Sequence, residues 1–320
     1  ENLLSNVTNS VLTILSIVSI YYRATFVVPW VMNGVWNTSS LAECRDILQG
    51  AKGGCFSVLS ERWNQLLYGF KYPNDQYWRP TLAFLLLFAA AAPVMFFDLP
   101  RKLLIFTGLY PFIAYWLIWG GTILSPIFAL LGFVAGYLVY ARYVKNSFFI
   151  GLFGGIFAAF VAWYIGGKIV ELLNIQNPTL EAVPSRDMGG FMLNMILGTV
   201  CVSLSVPLGI LLALGRQSDM PVIRWICVIF IEFIRGVPLI TLLFVANVVL
   251  AFFLPPGTTF DLILRVIIMI TMFSAAYIAE VIRGGLAALP KGQYEAGDSL
   301  GLDYAQSMRL IILPQALKIS

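Results

Sequence analysis

Charged residues are scarce in this chain, and histidine is absent from it. Of its 320 residues, 11% are charged and 59% are hydrophobic, and the mean hydropathy is +0.85. In soluble domains roughly a quarter of the residues are charged, so this chain has too few charged residues to cover a globular surface. The lack of histidine removes the commonest general base and the commonest metal ligand, and we therefore expect neither a catalytic site nor a metal site.

A phosphate-binding loop is also missing. The sequence contains no Gly-x-x-x-x-Gly-Lys-Ser/Thr pattern, which excludes binding of ATP in the usual P-loop way. We therefore expect no cofactor on this chain. The net charge of +4 is spread over loops, a distribution that indicates orientation in a membrane and not contact with nucleic acid.

Long apolar runs are what the sequence has in abundance. Runs of about 18 residues or more can cross the hydrocarbon core as helices, which satisfy their own backbone hydrogen bonds in lipid. The short alternating strands of a membrane barrel are not seen. We predict an all-α polytopic membrane protein with about eight spans. Their predicted ranges are 10–35, 81–97, 103–121, 124–141, 147–170, 190–214, 223–253 and 263–283.

If the spans alternate in direction, the basic loops all fall on one side of the membrane. By the positive-inside rule this side is the cytoplasm, and the N-terminus lies there too. Arg23 interrupts the first span, where a charge is costly unless it snorkels to the interface or finds a partner. The basic residues of these loops are Arg101, Lys102, Arg142, Lys145, Arg216, Arg224, Arg283, Lys291, Arg309 and Lys318.

The segment 37–80 falls on the opposite side and contains Cys44 and Cys55. An outward loop of a bacterial protein faces the oxidising periplasm, where paired cysteines persist as disulfides. We predict a disulfide between these two residues. Two unlinked thiols in a small folded loop are the alternative.

Glycine and proline within the apolar runs predict local geometry. Gly151 and Gly155 have the small-xxx-small spacing that lets a neighbouring helix approach closely. Pro238 is expected to break or kink its helix, because its nitrogen has no hydrogen to donate.

The polar segment after the eighth span, residues 290–318, has the signals of two short helices joined by a turn. Pro290 suits the first turn of a helix, and Gly301 suits its end, where a left-handed residue is needed. Asp303 can then cap a second helix, with Gln306 as its reciprocal partner three residues later. From spacing alone, this segment either binds a partner or lies on lipid.

This segment resembles the cytoplasmic motif of permease subunits in bacterial ATP-binding-cassette (ABC) importers. That motif reads Glu-Ala-Ala, three residues, Gly, nine residues, Ile, one residue, Leu-Pro. Only the second alanine departs here, as Gly297, and we expect it to loosen the first helix, because glycine costs about 1 kcal/mol relative to alanine. The resemblance implies a role in coupling to an ATPase for Glu295, Ala296, Gly297, Gly301, Ile311, Leu313 and Pro314.

The resemblance extends upstream, to the subgroup that imports polar amino acids and to general L-amino-acid permeases within it. Residues 231–239 and 276–285 resemble the second and third core helices of that subgroup. This implies a type I ABC-importer permease core over residues 189–320, preceded by an N-terminal multi-helix membrane extension over residues 1–188. The family's core has five helices with the coupling loop between the third and fourth, so two further spans are implied beyond this sequence.

By this resemblance the chain is a permease subunit of an ATP-driven amino-acid importer in the bacterial inner membrane, surrounded by lipid. A second permease subunit completes the translocation path, two ATP-binding subunits hold the ATP, and a periplasmic amino-acid-binding protein delivers the substrate. This chain is then not itself an enzyme. A subunit of a secondary transporter or channel without an ATPase is the alternative, and it predicts no need for the glycine turn. A third reading, an enzyme or receptor that uses the outer loop, finds no catalytic constellation in the sequence.

Two Glu-x-x-Arg pairs lie in or near the last two spans, Glu232 with Arg235 and Glu280 with Arg283. Residues three apart share a helix face, so each pair can neutralise itself within or near the membrane. One reading is a structural ion pair that fixes helix ends or subunit contacts. The other is a place on the translocation path, where a zwitterionic amino acid exchanges for those partners.

Overall fold

The structure, a computed structural model, describes residues 3–96, 98–144, 148–172, 179–249 and 261–320. The chain divides into two compact units, Glu1–Phe70 and Lys71–Ser320. The proposed boundary between residues 188 and 189 rests on the family resemblance and stays a prediction.

The first unit begins with a long helix and continues into three short helices. These are α1 (Val7–Met32), α2 (Leu41–Leu48), α3 (Ser57–Glu61) and α4 (Trp63–Tyr68). The side chains of Asn6 and Ser40 accept backbone N–H bonds and so cap α1 and α2. Cys44 on α2 is bonded to Cys55 in a disulfide, with 6.1 Å between their Cα atoms. The two cysteines that the sequence analysis paired are therefore linked in the structure.

The second unit opens with two helical hairpins. They consist of α5 (Trp78–Met95) with α6 (Leu104–Trp119), and α7 (Leu124–Tyr143) with α8 (Phe148–Leu172). Turns of 3₁₀ helix at Asn74–Gln76 and Arg101–Leu103 precede α5 and α6. Strand β1 (Gly121–Thr122) pairs antiparallel with β2 (Thr179–Leu180), which joins the connection before α7 to the one after α8.

Helices α7 and α8 pack backbone to backbone through glycine. A Cβ atom added to Gly136 would lie 2.6 Å from the carbonyl oxygen of Gly155, and one added to Gly155 would lie 2.8 Å from that of Gly136. A Cβ on Gly151 would lie 2.9 Å from the backbone nitrogen of Val144. No larger residue fits at such distances without a shift of the backbone. The close approach predicted from Gly151 and Gly155 is confirmed.

A buried polar network joins one end of the α5–α6 hairpin to the connection that follows α8. Arg79 is only 1% exposed. Its Nε donates to the carbonyl oxygen of Leu117 at 2.7 Å, and its Nη1 donates to that of Glu181 at 2.9 Å. Gln76 donates to the carboxylate of Glu181 and accepts from Arg79. A 3₁₀ turn at Ser185–Asp187 then leads into the second half of the unit.

Two long helices packed side by side organise that second half, α9 (Gly190–Arg216) and α12 (Leu262–Ala288). Between them in the chain lie α10 (Pro221–Gly236), α11 (Leu239–Phe244) and a π turn at Val245–Val249. After α12 come α13 (Lys291–Ser299), α14 (Tyr304–Ser307), a π turn at Met308–Ile312 and α15 (Leu313–Ile319).

Among the described residues, seven helices are long and apolar enough to cross a membrane, or eight spans if the bent pair α10 and α11 makes one. The all-α polytopic class is confirmed. The seventh predicted span, 223–253, is wrong as a single helix, because α10 and α11 meet at an angle of 102°. Val237 is extended, as the residue before a proline prefers, and Pro238 has no N–H to continue the helix, so the predicted break is confirmed. Residues 97, 147 and 250–253 of the predicted spans, and Lys145, lie outside the described residues.

Candidate functional site

The segment after α12 folds as two helices joined at Gly301. Helix α13 follows Pro290 directly, and Gly301 adopts a φ of +69°, in the left-handed region that favours glycine. The Asp303 carboxylate accepts from the N–H of Gln306 at 2.7 Å, and the Gln306 side chain accepts from the N–H of Asp303 at 3.3 Å. This reciprocal pair is the capping box that the spacing predicted. Local sequence therefore sets both the turn and the start of the second helix.

Gly297, the one departure from the family motif, lies where the two short helices meet. It is buried, and an added Cβ would collide with the hydroxyl of Ser307 on α14. Its carbonyl oxygen accepts the N–H of Leu300 at 3.2 Å and that of Leu302 at 3.3 Å. The missing side chain allows α13 and α14 to pack closely, which offsets the helix propensity lost at this position.

Apolar side chains fasten the same segment to the end of α12. Met308 and Ile312 of the π turn are buried in one cluster with Ile282 of α12. Ala316 belongs to that cluster, and a Cβ on Gly285 would lie 2.5 Å from the carbonyl oxygen of Ala316. Because packed interiors transmit displacement, a movement of the segment is also a movement of α12.

The other side of the segment is exposed. Leu300 and Leu310 are exposed over 72% and 64% of their surface. Large apolar side chains with this much exposure on a polar segment are suited to contact with a protein or a membrane. Of the predicted coupling residues, Gly297 is buried, Ile311 and Leu313 are half-buried, and the exposed ones are Glu295, Ala296, Gly301 and Pro314.

The two Glu-x-x-Arg sequences meet in one ionic cluster, where α9, α10 and α12 come together. Its centre is Glu280, whose carboxylate lies 2.6 Å from Arg283, 3.2 Å from Arg216 and 3.7 Å from Arg235. Glu232 lies 2.9 Å from Arg216. With three arginines and two glutamates, this ionic cluster has a formal net charge of +1.

The pairing inside the ionic cluster differs from the one expected from spacing. Glu280 does pair with Arg283 within α12, but Glu232 pairs with Arg216 and not with Arg235. Arg235 instead reaches Glu280, and its guanidinium carbon lies 5.6 Å from the ring centroid of Tyr277. Within the described part of the chain its Nε is buried without a hydrogen-bond partner.

Arg216 belongs to this ionic cluster, although the sequence did not indicate it. It was counted only as a basic loop residue, and it lies 64 positions before Glu280, so no local pattern connects the two. The charged side chains of the cluster are between 23% and 54% exposed. Each pair is thus partly hydrated and contributes modestly by itself, and the stabilisation comes from the network.

The described residues hold no group of three or more His, Cys, Asp or Glu side chains placed to bind a metal ion. Two grooves lie on the surface of the described helices, among others. One, of about 510 Å³, lies in the first unit between α1 and residues 51–53, where the Lys52 ammonium lies 5.8 Å from the Phe26 ring centroid. The other, of about 430 Å³, runs along the start of α10.

The second half of the chain matches a known protein family. Residues 205–319 match the family described as "Binding-protein-dependent transport system inner membrane component". The match includes the ionic cluster and the segment after α12. A chain in the crystal structure of an amino acid ABC transporter with histidines is 35% identical, with 38% of this chain and 56% of that chain covered and a TM-score of 0.34.

Two relatives match over the whole length of this chain. The glutamate/glutamine/aspartate/asparagine transport system permease protein BztC of Rhodobacter capsulatus is 52% identical, with 100% of this chain and 75% of that protein covered. The inner membrane amino-acid ABC transporter permease protein YhdY of Escherichia coli is 37% identical, with 100% of this chain and 71% of that protein covered. The chain therefore belongs to the permease proteins of amino-acid ABC transporters, as a multi-pass inner-membrane subunit of an ATP-driven amino-acid importer.

Proposed function

We propose that this permease subunit works with a second permease subunit, two cytoplasmic ATP-binding subunits and a periplasmic amino-acid-binding protein. The partner subunits bind and hydrolyse the ATP, while this chain holds no cofactor and is not an enzyme. Its N-terminus and the segment after α12 both lie in the cytoplasm, as the basic loops predict. Residues 1–188 then extend a transport core formed by residues 189–320.

The proposed substrates are acidic amino acids and their amides. The name of BztC assigns glutamate, glutamine, aspartate and asparagine to that protein, and its 52% identity over this whole chain supports the same class here. Competition experiments decide the class: unlabelled aspartate and asparagine should reduce uptake of labelled glutamate, and arginine should not.

The observation that carries the coupling role is the construction of residues 295–314, the coupling segment. Its turn at Gly301 is fixed by local hydrogen bonds, one side of it shares a core with α12, and its other side is exposed. Such an element transmits a force applied to its exposed side directly to a membrane helix. This arrangement supports docking of an ATPase on the exposed side, with α12 as the moving part.

For the ionic cluster we propose a structural role first. Glu280 ties the ends of α9 and α10 to α12, the helix that carries the coupling segment. A place on the translocation path is the second candidate, and the Nε of Arg235, which has no hydrogen-bond partner among the described residues, favours it, because this N–H could bind a substrate carboxylate once a movement uncovers it. Arg235→Lys separates the two roles. It keeps the charge but loses the Nε donor, so a raised KM with unchanged ATPase activity indicates contact with substrate.

Reconstitution tests the proposal as a whole. The full chain is expressed with its neighbouring transporter subunits, purified through a tag on this chain, and placed in liposomes with ATP inside or outside. We expect a soluble ATPase to co-purify and uptake of labelled glutamate to require ATP on the cytoplasmic side. Uptake that runs without any ATPase, driven by an ion gradient, would establish the secondary-transporter alternative instead.

A further inference from the structure

Helix α10 runs across the end of α9 and not back along it. In a hairpin of antiparallel helices, Glu232 would lie about 16 Å along the axis from the start of α10, far from the end of α9. In the structure Glu232 lies 2.9 Å from Arg216, the last residue of α9. A Cβ on Gly215 would also lie 2.5 Å from the sulfur of Cys227, in the middle of α10. After crossing α9, the chain turns by 102° into α11.

The level of this crossing is set by the two long helices. Helices α9 and α12 have 27 residues each, about seven more than the hydrocarbon core requires. Arg216 ends α9, and Glu280 and Arg283 lie in the last third of α12. Charges at helix ends belong at the membrane–water boundary, so α10, which meets Arg216 and Glu280, lies at that boundary too.

The side chains of α10 divide into two faces. One face is apolar and exposed, and its residues are Val222, Trp225, Ile226, Ile229 and Phe233. The opposite face, with Ile231 and Ile234, is buried against the protein. Arg224 and Arg235 lie beside the buried face, Arg224 exposed and Arg235 paired with Glu280. Exposed tryptophan and arginine on an amphipathic helix are typical of helices that lie in the membrane interface.

The groove at the start of α10 brings opposite charges to the edge of this apolar face. It is lined by Asp219, Pro221, Arg224, Trp225, Val228 and Ile229. Neither Asp219 nor Arg224 forms an ion pair within 4.0 Å with any described residue. A cation, an anion and an apolar floor in one groove match the phosphate, the ammonium and the first acyl carbons of a phospholipid.

We propose that α10 lies in the plane of the membrane at the cytoplasmic surface, and that its groove holds the headgroup of one phosphatidylethanolamine molecule. The phosphate accepts hydrogen bonds from Arg224, and the ammonium donates to Asp219. The apolar face then contacts the acyl chains, and between α9 and α12 the chain enters the membrane only after Pro238. The cytoplasmic side is the one that the basic loops assign.

Spin-label depth measurements test the direction of α10. Single cysteines for nitroxide labelling replace Val222, Ile226, Ile229 and Phe233 in turn, with Cys201 and Cys227 changed to alanine, in the assembled transporter in nanodiscs. The relative access of oxygen and a nickel chelate reports depth. We expect depths that agree within about 5 Å, one helical turn, whereas a spanning helix would change depth by about 16 Å between Val222 and Phe233.

Labels at Val202 and Leu211 of α9 serve as the matched control, because these exposed residues lie on a helix that does span. Their depths should differ by about 13 Å. If the α10 positions show a gradient as steep as that of the α9 pair, the in-plane placement is wrong.

Native mass spectrometry tests the headgroup site separately. The transporter is released from nanodiscs that contain phosphatidylethanolamine and phosphatidylglycerol, and the retained lipid is counted. We expect the double variant Asp219→Asn, Arg224→Gln to retain phosphatidylethanolamine at least about tenfold less at the same collision energy, since two charge-assisted bonds are lost. Arg142→Gln, which removes an exposed arginine from the end of α7, should change nothing.

Two results would overturn the lipid assignment. One is equal retention by the double variant and the unaltered protein. The other is displacement of the retained lipid by millimolar inorganic phosphate, which would identify the site as a general phosphate site. Retention that favours phosphatidylethanolamine over phosphatidylglycerol in the unaltered protein, and loses that preference in the double variant, supports it.

Discussion

Two parts of this permease hold their helices together in different ways. Helices α7 and α8 touch along their backbones, where Gly136 and Gly155 leave no room for side chains. Helices α9, α10 and α12 share a buried apolar cluster, and ion pairs on long side chains, centred on Glu280, join them as well. At the glycine contact the backbones cannot come closer, whereas ion pairs between flexible side chains tolerate small shifts of their helices. The joint made by the ionic cluster, on the helix that bears the coupling segment, is thus the adjustable one.

The largest effect is expected from Gly301→Pro, which disrupts the coupling segment between the ionic cluster and the proposed ATPase. Proline cannot adopt the φ of +69° found at this residue, so α14 is directed away from α13. We expect uptake to fall below detection while membrane insertion is retained. Uptake of labelled glutamate is measured beside the amount of co-purified ATPase. Normal uptake at normal expression would remove the coupling role of the segment and favour the secondary transporter.

Glu280→Ala should have the next largest effect, because it leaves Arg216, Arg235 and Arg283 close together without their shared partner. We expect the free energy of unfolding to fall by about 2 kcal/mol, less than for a fully buried pair since the side chains are partly hydrated. Uptake should fall about tenfold. Glu295→Ala, an exposed carboxylate of the coupling segment, is the matched control and should change uptake by less than about twofold. Equal effects of the two variants would show that the ionic cluster does not hold the joint.

Gly136→Leu disrupts the glycine contact between α7 and α8. The added side chain must separate α7 from α8 and should lower the free energy of unfolding by about 2 kcal/mol, as overpacking does. Uptake per folded transporter should stay within about twofold, since this hairpin does not carry the coupling segment. Gly167→Leu on α8 is the control, because a Cβ there would meet no atom within 4 Å. A specific loss of transport in Gly136→Leu, at full stability, would mean that the hairpin also moves during the cycle.

Loss of the disulfide in the first unit should affect transport least. The Cys44–Cys55 disulfide closes a loop of 11 positions, and in the chain-entropy model its loss destabilises this loop by roughly 3 kcal/mol. Uptake by the variant with both cysteines changed to serine should be unaltered, because the loop closes within its own unit. In intact cells a membrane-impermeant maleimide should label neither cysteine until reductant is added. Labelling without reductant would show free thiols on the outer face.

The sequence allowed prediction where the determining contacts are close along the chain. Gly301, the capping box of Asp303 and Gln306, and the break at Pro238 all follow from residues within four positions of one another. Hydropathy likewise placed the long helices to within a few residues. These features depend on backbone sterics and local hydrogen bonds, which a linear pattern records.

The parts that could not be predicted depend on contacts between distant segments. Arg216 meets Glu280 across 64 positions, and only the direction of α10 brings Glu232 to the same place. The buried Arg79 network spans 102 positions, from α5 to Glu181. The reason for glycine at position 297 is likewise a contact with another helix, because Ser307 leaves no room for a side chain there. Helix propensity alone treats that glycine as a defect.

The π turn at Met308–Ile312 sets which side of the helical segment that contains it faces α12. The buried residues Met308, Ile312 and Ala316 are spaced four apart, whereas an α-helix repeats every 3.6 residues, so such a stripe would drift around an ideal helix. The wider π turn cancels part of that drift and keeps the stripe in register with α12. Deleting one residue there would convert the π turn into an ordinary α turn, so the turn absorbs the deletion and later side chains rotate by only about 30°. Ala316 would therefore stay on the side of Gly285 after a single-residue deletion within the turn.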